Sequence, residues 1–348
     1  MDFNLSPAQQ SCRSRASALA RDLGQDAPAG GAVSAAARAG LLDPGLDLLA
    51  VVAAVEAMAL ESAGAAVAFA LHTSVLRSAA GAASGDGVRG LVEELITGTS
   101  VGAVALSADD VPFREQDQVS GRACWVTPLT DRGVAMVGVW TPETARGQRT
   151  QPAWGMEDAA RDRIACLVRL DSPGARTEPI DAAGLRSLVC GHVVFASAPS
   201  VALGATLPIM SMVRILLAAV GLGMGRRALR ESMDAARAFG RTGAGGEQTV
   251  QGLLADAATE LDAAMLLTWK AALSPTLSLA EASMAKLAVT EATQRAVTRA
   301  TQVIGGASFR HGHVIERLAQ DVRAVELFAG RTEALREAVA QETLPRGD

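Results

Sequence analysis

Helical periodicity fills both ends of this 348-residue chain and is missing from its middle. Apolar residues recur every three or four positions up to residue 99 and again from residue 200, the pattern of helices that bury one face. Between them lie short runs rich in Val and Thr, at 101–106, 134–140 and 163–170, separated by turn signals. That is strand chemistry. The chain therefore divides into an N-terminal helical domain over 1–99, a central β domain over 100–199 and a C-terminal helical bundle domain over 200–348. The fold class is mainly α.

Local signals sharpen this outline. Ser6 followed by Pro7 reads as an N-cap with proline at the first helical position, and Ala16, Leu19, Ala20 and Leu23 continue an apolar stripe. Further helices are expected over 32–42, 46–63, 65–79 and 87–97, and in the last domain over 207–238, 249–273, 279–304, 313–318 and 322–340. The polar stretch 141–162 reads as an exposed loop, and 187–195 as the closing strand.

Composition removes several functions. A net charge of -5 and no dense arginine run with interleaved aromatics leave no basic patch for a phosphate backbone, so no nucleic-acid partner is expected. The apolar stretch 48–71 is interrupted by Glu56 and Glu61 and falls short of the roughly 20 apolar residues a membrane-spanning helix needs. Membrane insertion is not expected. Cys12, Cys124, Cys166 and Cys190 form no Cys-x-x-Cys pair, and with no leader-like opening a reduced cytoplasmic setting fits. His311 and His313 flank a glycine without convergent thiols or carboxylates, so no metal site is expected. His72 reads as a satisfied helix histidine, and Cys124 as a buried strand residue.

Several separate segments resemble one family in the right order. They are Cys124-Trp-Val-Thr127 in the β domain, then Arg237-Ala-Phe-Gly240, Gln248-Thr-Val-Gln-Gly-Leu-Leu-Ala-Asp256, Ala282-Ser-Met-Ala-Lys286 and Gln302-Val-Ile-Gly-Gly306. Together they are similar to the acyl-CoA dehydrogenase family. The resemblance implies an acyl-CoA substrate, an oligomer and an FAD site built from Ser107, Trp125, Thr127, Arg237, Phe239, Gln248, Gln302, Gly305 and Gly306. In the family the last of these segments reaches the FAD of a neighbouring subunit. An indole covers one face of a flavin ring well, a hydroxyl and an N–H suit its N5 edge, and paired glycines let a backbone approach a diphosphate.

The departures from the family are as informative. Ala329, 27 positions after Gln302, stands where the resemblance places the catalytic glutamate. Val213 fills the alternative base position, just before Arg214, which is carried over as a substrate contact. Neither side chain takes a proton, and general-base assistance is typically worth ~10²- to 10⁴-fold. Glu326 and Glu333 lie three and four residues from Ala329 and, on one continuous helix, would share its side; solvated carboxylates are the plainer reading of both. Only 18 residues separate Ser107 from Trp125, a shortened loop. Ala236 takes the place of the family's phosphate-binding arginine, so that Arg237 is turned by about 100°, and Arg331 follows the Ala329-Gly330 pair.

This pattern resembles the base-less subunit of heteromeric α2β2 acyl-CoA dehydrogenases, some of which act on bulky steroid side-chain thioesters. On that expectation Gln302, Gly305, Gly306, Phe239 and Gln248 complete an FAD site held mainly by a catalytic partner subunit, while the chain's own flavin pocket is vestigial. A homo-oligomeric dehydrogenase with a relocated base, a flavin monooxygenase of the same fold and a flavin-free structural homologue are the alternatives.

Overall fold

A computed structural model describes residues 4–82, 86–106, 110–145, 163–240 and 247–344. Five helices open the chain: α1 (Pro7–Leu23), α2 (Ala29–Arg38), α3 (Leu48–Ala59), α4 (Ala63–Gly81) and α5 (Asp86–Thr97). The Ser6 side chain accepts from the N–H of Gln9, whose own side chain accepts from the N–H of Ser6, a reciprocal box that starts α1. Gln9 then donates to Asp47, which caps α3. Every residue of α3 is buried, because α1 covers one side and the bundle the other.

Seven strands follow: β1 (Val101–Ala105), β2 (Phe113–Glu115), β3 (Gln118–Val126), β4 (Gly133–Val139), β5 (Ile164–Arg169), β6 (Ala175–Ile180) and β7 (Cys190–Ala205), with a short helix α6 (Pro142–Ala145) after β4. They form one sheet in the order β1-β4-β5-β7-β3-β2, with β6 also on β7. Among the strand pairs of the described residues, β1–β4 is parallel and the others are antiparallel. All of β1 and β4 is buried, since α4 packs over this edge. The last strand runs to Ala205, beyond the boundary at 199 and the 187–195 strand read from the sequence.

The C-terminal helices are α7 (Thr206–Ala238), α8 (Gln248–Leu273), α9 (Leu279–Ile304), α10 (Val314–Leu327) and α11 (Thr332–Thr343). Helix α7 is the spine. It is long and apolar enough to cross a membrane, yet 89% of its most apolar window is buried within the protein. Glycines allow its neighbours in: a Cβ on Gly223 would lie 2.3 Å from the carbonyl oxygen of Glu56 on α3, and one on Gly221 would lie 2.6 Å from Val289 on α9.

One expectation fails here in an instructive way. A helix over 322–340 was expected, with a break before it, but the helix runs unbroken from Val314 to Leu327 and stops at Phe328. Ala329 and Gly330 adopt positive φ of 55° and 117°, which no right-handed helix accommodates. Glu326 and Glu333 consequently sit on two different helices, not on one face beside Ala329.

Candidate functional site

The turn that carries Ala329 is held from below by two buried cations. Arg214 on α7 donates through Nε to the Ala329 carbonyl at 2.9 Å and through Nη1 to Ser283 Oγ at 2.6 Å. Lys286 on α9 donates to the carbonyls of Glu326 and Gly330 at 2.9 and 2.8 Å. Both cations are about 1% exposed. Burial first, then the neighbouring Arg214 charge, bring the Lys286 ammonium down to about 7. Arg214, expected from the sequence as a substrate contact, is buried here and grips the main chain of the turn. Its guanidinium points into the protein because Ser283 and the Ala329 carbonyl supply acceptors there.

Neither position at which the sequence leads one to expect a base, 329 or 213, carries a titratable group. Val213 is buried. Both oxygens of Glu326 are engaged, Oε2 by Gln294 at 2.6 Å and Arg323 at 3.1 Å, and Oε1 by Thr332 at 3.0 Å. Glu333 is exposed in the first turn of α11. It lines an open cleft of about 420 Å³ together with Arg323, Glu326, Leu327, Arg331 and Thr332.

A second feature lies on β3. Its ladder to β7 pairs Ala123 with Val193 and Val126 with Gly191, so Cys124 and Trp125 bulge opposite His192. The bulge turns Trp125 outward, 47% exposed and with φ of 58°. Its indole meets the His192 ring edge-on, centroids 5.8 Å apart at 71°. Thr127, two residues on, is not available as expected. It is buried, its N–H donates to Val104 O at 3.3 Å and its Oγ1 donates to Trp125 O at 3.3 Å. The isolated bridge to Val104 draws it into the sheet. Ser107 lies outside the described residues.

The third feature is the far end of the bundle. Buried Ala236, Val250 and Val303 pack together and bring the end of α7, the start of α8 and the end of α9 to one place. Around them Arg237, Phe239, Gln248, Gln302 and Gly306 are all exposed. Arg237 pairs with Asp234 at 3.2 Å while Ala236 faces inward, the rotation its one-residue displacement requires. Gly305 has φ of 73°, and a Cβ on it or on Gly306 would meet nothing within 4 Å. Phe309, in the 3-10 turn that follows over Gly305–Phe309, is 78% exposed. Phe309, Lys286 and His192 carry no individual role in the sequence-based expectation. For Lys286 a signal existed, a charge inside an apolar helical face in a chain with two lysines.

Helices before and after a central sheet are the arrangement of the acyl-CoA dehydrogenase fold. Residues 204–344 match the family of the acyl-CoA dehydrogenase C-terminal domain. The C-terminal domain of the chain therefore belongs to the acyl-CoA dehydrogenase family, and relatives and solved structures of that family are similar to more of the chain. It is 27% identical over 243 residues to the human short-chain specific acyl-CoA dehydrogenase of mitochondria, covering 65% of this chain and 56% of that protein. The chain thus matches little more than half the length of this curated relative. Its fold is that of butyryl-CoA dehydrogenase from Megasphaera elsdenii, with a TM-score of 0.80 at 19% identity over 99% of this chain and all of the other. The FAD complex of PigA is similar too, with a TM-score of 0.81 at 20% identity over the whole of both chains.

The residues present suit a flavin unevenly. Trp125 offers an exposed aromatic face, and the bundle end offers open glycines, an amide and aromatics for a diphosphate or adenine. At the N5 edge the fit is poorer, because the N–H and hydroxyl hydrogen of Thr127 are both spent within the protein.

Proposed function

We propose that this chain is a cytoplasmic, FAD-dependent member of its family that serves as the base-less subunit of a heteromeric acyl-CoA dehydrogenase. The observation that carries this reading is the turn itself: its grip by Arg214 and Lys286 is complete while the side chain at 329 is a methyl group. Bound FAD would accept the hydride in the oxidation of an acyl thioester at Cα–Cβ. Removal of the α-proton then falls to a carboxylate of the partner subunit, since neither Ala329 nor Val213 takes a proton and Glu326 is held by three donors.

On this reading the chain contributes in two places. Phe239, Gln248, Gln302, Gly305 and Gly306 at the bundle end complete an FAD site of the partner. The chain's own ring face is reduced to the indole of Trp125. The test is to purify the chain alone and co-expressed with a catalytic family member, then measure FAD content and anaerobic bleaching by acyl-CoA. The expected result is little FAD and no bleaching alone, with both present in the complex. Full FAD occupancy and rapid bleaching by the chain alone would sink the proposal.

A further inference from the structure

The bulge in β3 leaves two marks that the proposed function does not use. Cys124 and Trp125 together face a single residue of the neighbouring strand, His192, because Ala123 pairs with Val193 and Val126 with Gly191. Trp125 takes a left-handed backbone, with φ of 58°, which bulky side chains rarely adopt. Local strain of this kind persists only where the surroundings hold it in place.

What holds it is visible. The His192 ring stands at 71° to the indole with centroids 5.8 Å apart, within the preferred edge-to-face range of about 4.5–7 Å. The geometry comes at a cost to His192, whose Nδ1 is buried without a hydrogen-bond partner. Buried polar atoms are normally paired. The contact the imidazole ring does make is with Trp125.

We propose that His192 is a positioning residue: its imidazole edge props the indole of Trp125 outward, in the pose that presents a flat face to the isoalloxazine ring of a flavin. This rests on the reading that the flavin ring lies against Trp125. His192 touches neither flavin nor substrate; it acts through the indole. The bulge supplies the direction of the side chain and the imidazole fixes its rotation, so that the aromatic face stands ready before any ligand arrives.

The experiment uses the full chain. Near-ultraviolet circular dichroism of the native protein and of Trp125→Phe isolates the indole band of Trp125, and titration with added FAD gives the affinity of the chain's own weak site, which is expected to be largely empty on purification. His192→Ala is expected to lose that band and to weaken FAD about three- to tenfold. His192→Phe, which keeps an edge-on ring, is expected to retain both and to unfold at a higher temperature, because the unpaired Nδ1 is gone. His192→Leu fills the volume without a ring and should behave like the alanine variant; it decides the matter if His192→Ala does not fold. A Trp125 band that survives unchanged in His192→Ala or His192→Leu would overturn the proposal. If Trp125→Phe leaves FAD affinity unchanged, the flavin reading fails instead, and the dichroism band still decides the role of His192.

Discussion

Arg214 and Ala329 meet through a main-chain oxygen: the guanidinium Nε donates to the Ala329 carbonyl at 2.9 Å from 115 residues earlier in the chain. With Lys286 on the carbonyls of Glu326 and Gly330, the turn between α10 and α11 is fixed without reference to the side chain at 329. The shape of this turn is thereby independent of the side chain it carries at 329.

Substitution at 329 should accordingly spare the fold. Ala329→Glu is expected to change unfolding free energy by less than about 1 kcal/mol. In the isolated chain it should still give no flavin bleaching by acyl-CoA, because the Thr127 N–H and hydroxyl hydrogen remain turned into the sheet. Anaerobic stopped-flow absorbance checks this; bleaching as fast as that of the complex would show that the base is the only thing missing. Ala329→Gly should stabilise the chain by about 0.5–1 kcal/mol, since φ of 55° costs alanine more than glycine.

Lys286 makes stability depend on pH. Burial and Arg214 lower it to about 7, against an unfolded value near 10.4. Between these values the unfolded chain binds more protons, so stability is full above the unfolded pKa and is lost as pH falls toward 7. The gain from pH 7 to pH 9 is on the order of 2–3 kcal/mol. Lys286→Met should abolish that slope and cost roughly 2–5 kcal/mol at pH 9 by leaving carbonyls unpaired. Urea unfolding at several pH values measures both.

His72 acts in the same sense at lower pH. It is fully buried, with Nδ1 accepting from the Gly102 N–H at 2.9 Å and Nε2 donating to Leu95 O at 3.0 Å. Burial depresses it to about 4, from near 6.5 when unfolded. Its contribution is complete above 6.5 and is lost as pH falls to 4, roughly 3 kcal/mol over the window. An acid unfolding curve that shows no loss between pH 6.5 and pH 5 would contradict this.

The bundle end should matter for assembly and not for folding. Phe239 and Phe309 are 63% and 78% exposed, so replacing both by serine is expected to shift unfolding by no more than about 0.5 kcal/mol each. In the complex with a catalytic partner the same change should lower FAD content measurably, as read from absorbance after gel filtration.

Much of the fold can be read from local chemistry. Ser6, Pro7 and Gln9 mark the start of α1 because a cap is a contact within four residues. The break at Phe328–Arg331 is different. Val322 and Val325 before it and Leu335 and Ala338 after it all point inward, so helical periodicity continues across a turn that distant Arg214 and Lys286 impose. Site residues divide the same way. Composition and order point to Trp125, whereas the inward turn of Arg214 and the engagement of Thr127 depend on acceptors supplied by other segments.

Strand β7 passes into helix α7 with no loop between Ala205 and Thr206, and Thr206 Oγ1 anchors the joint by donating to Arg163 O at 2.8 Å. One unbroken stretch therefore carries His192 opposite the indole, Arg214 under the turn and Phe239 at the bundle end. The three places are set by a common ruler, whose helical half alone measures about 50 Å. Inserting a single residue at the joint would rotate α7 by about 100° and take Arg214 away from Ala329, while leaving Trp125 where it stands. Phase along this segment, more than any one side chain, keeps the sheet face and the bundle in step.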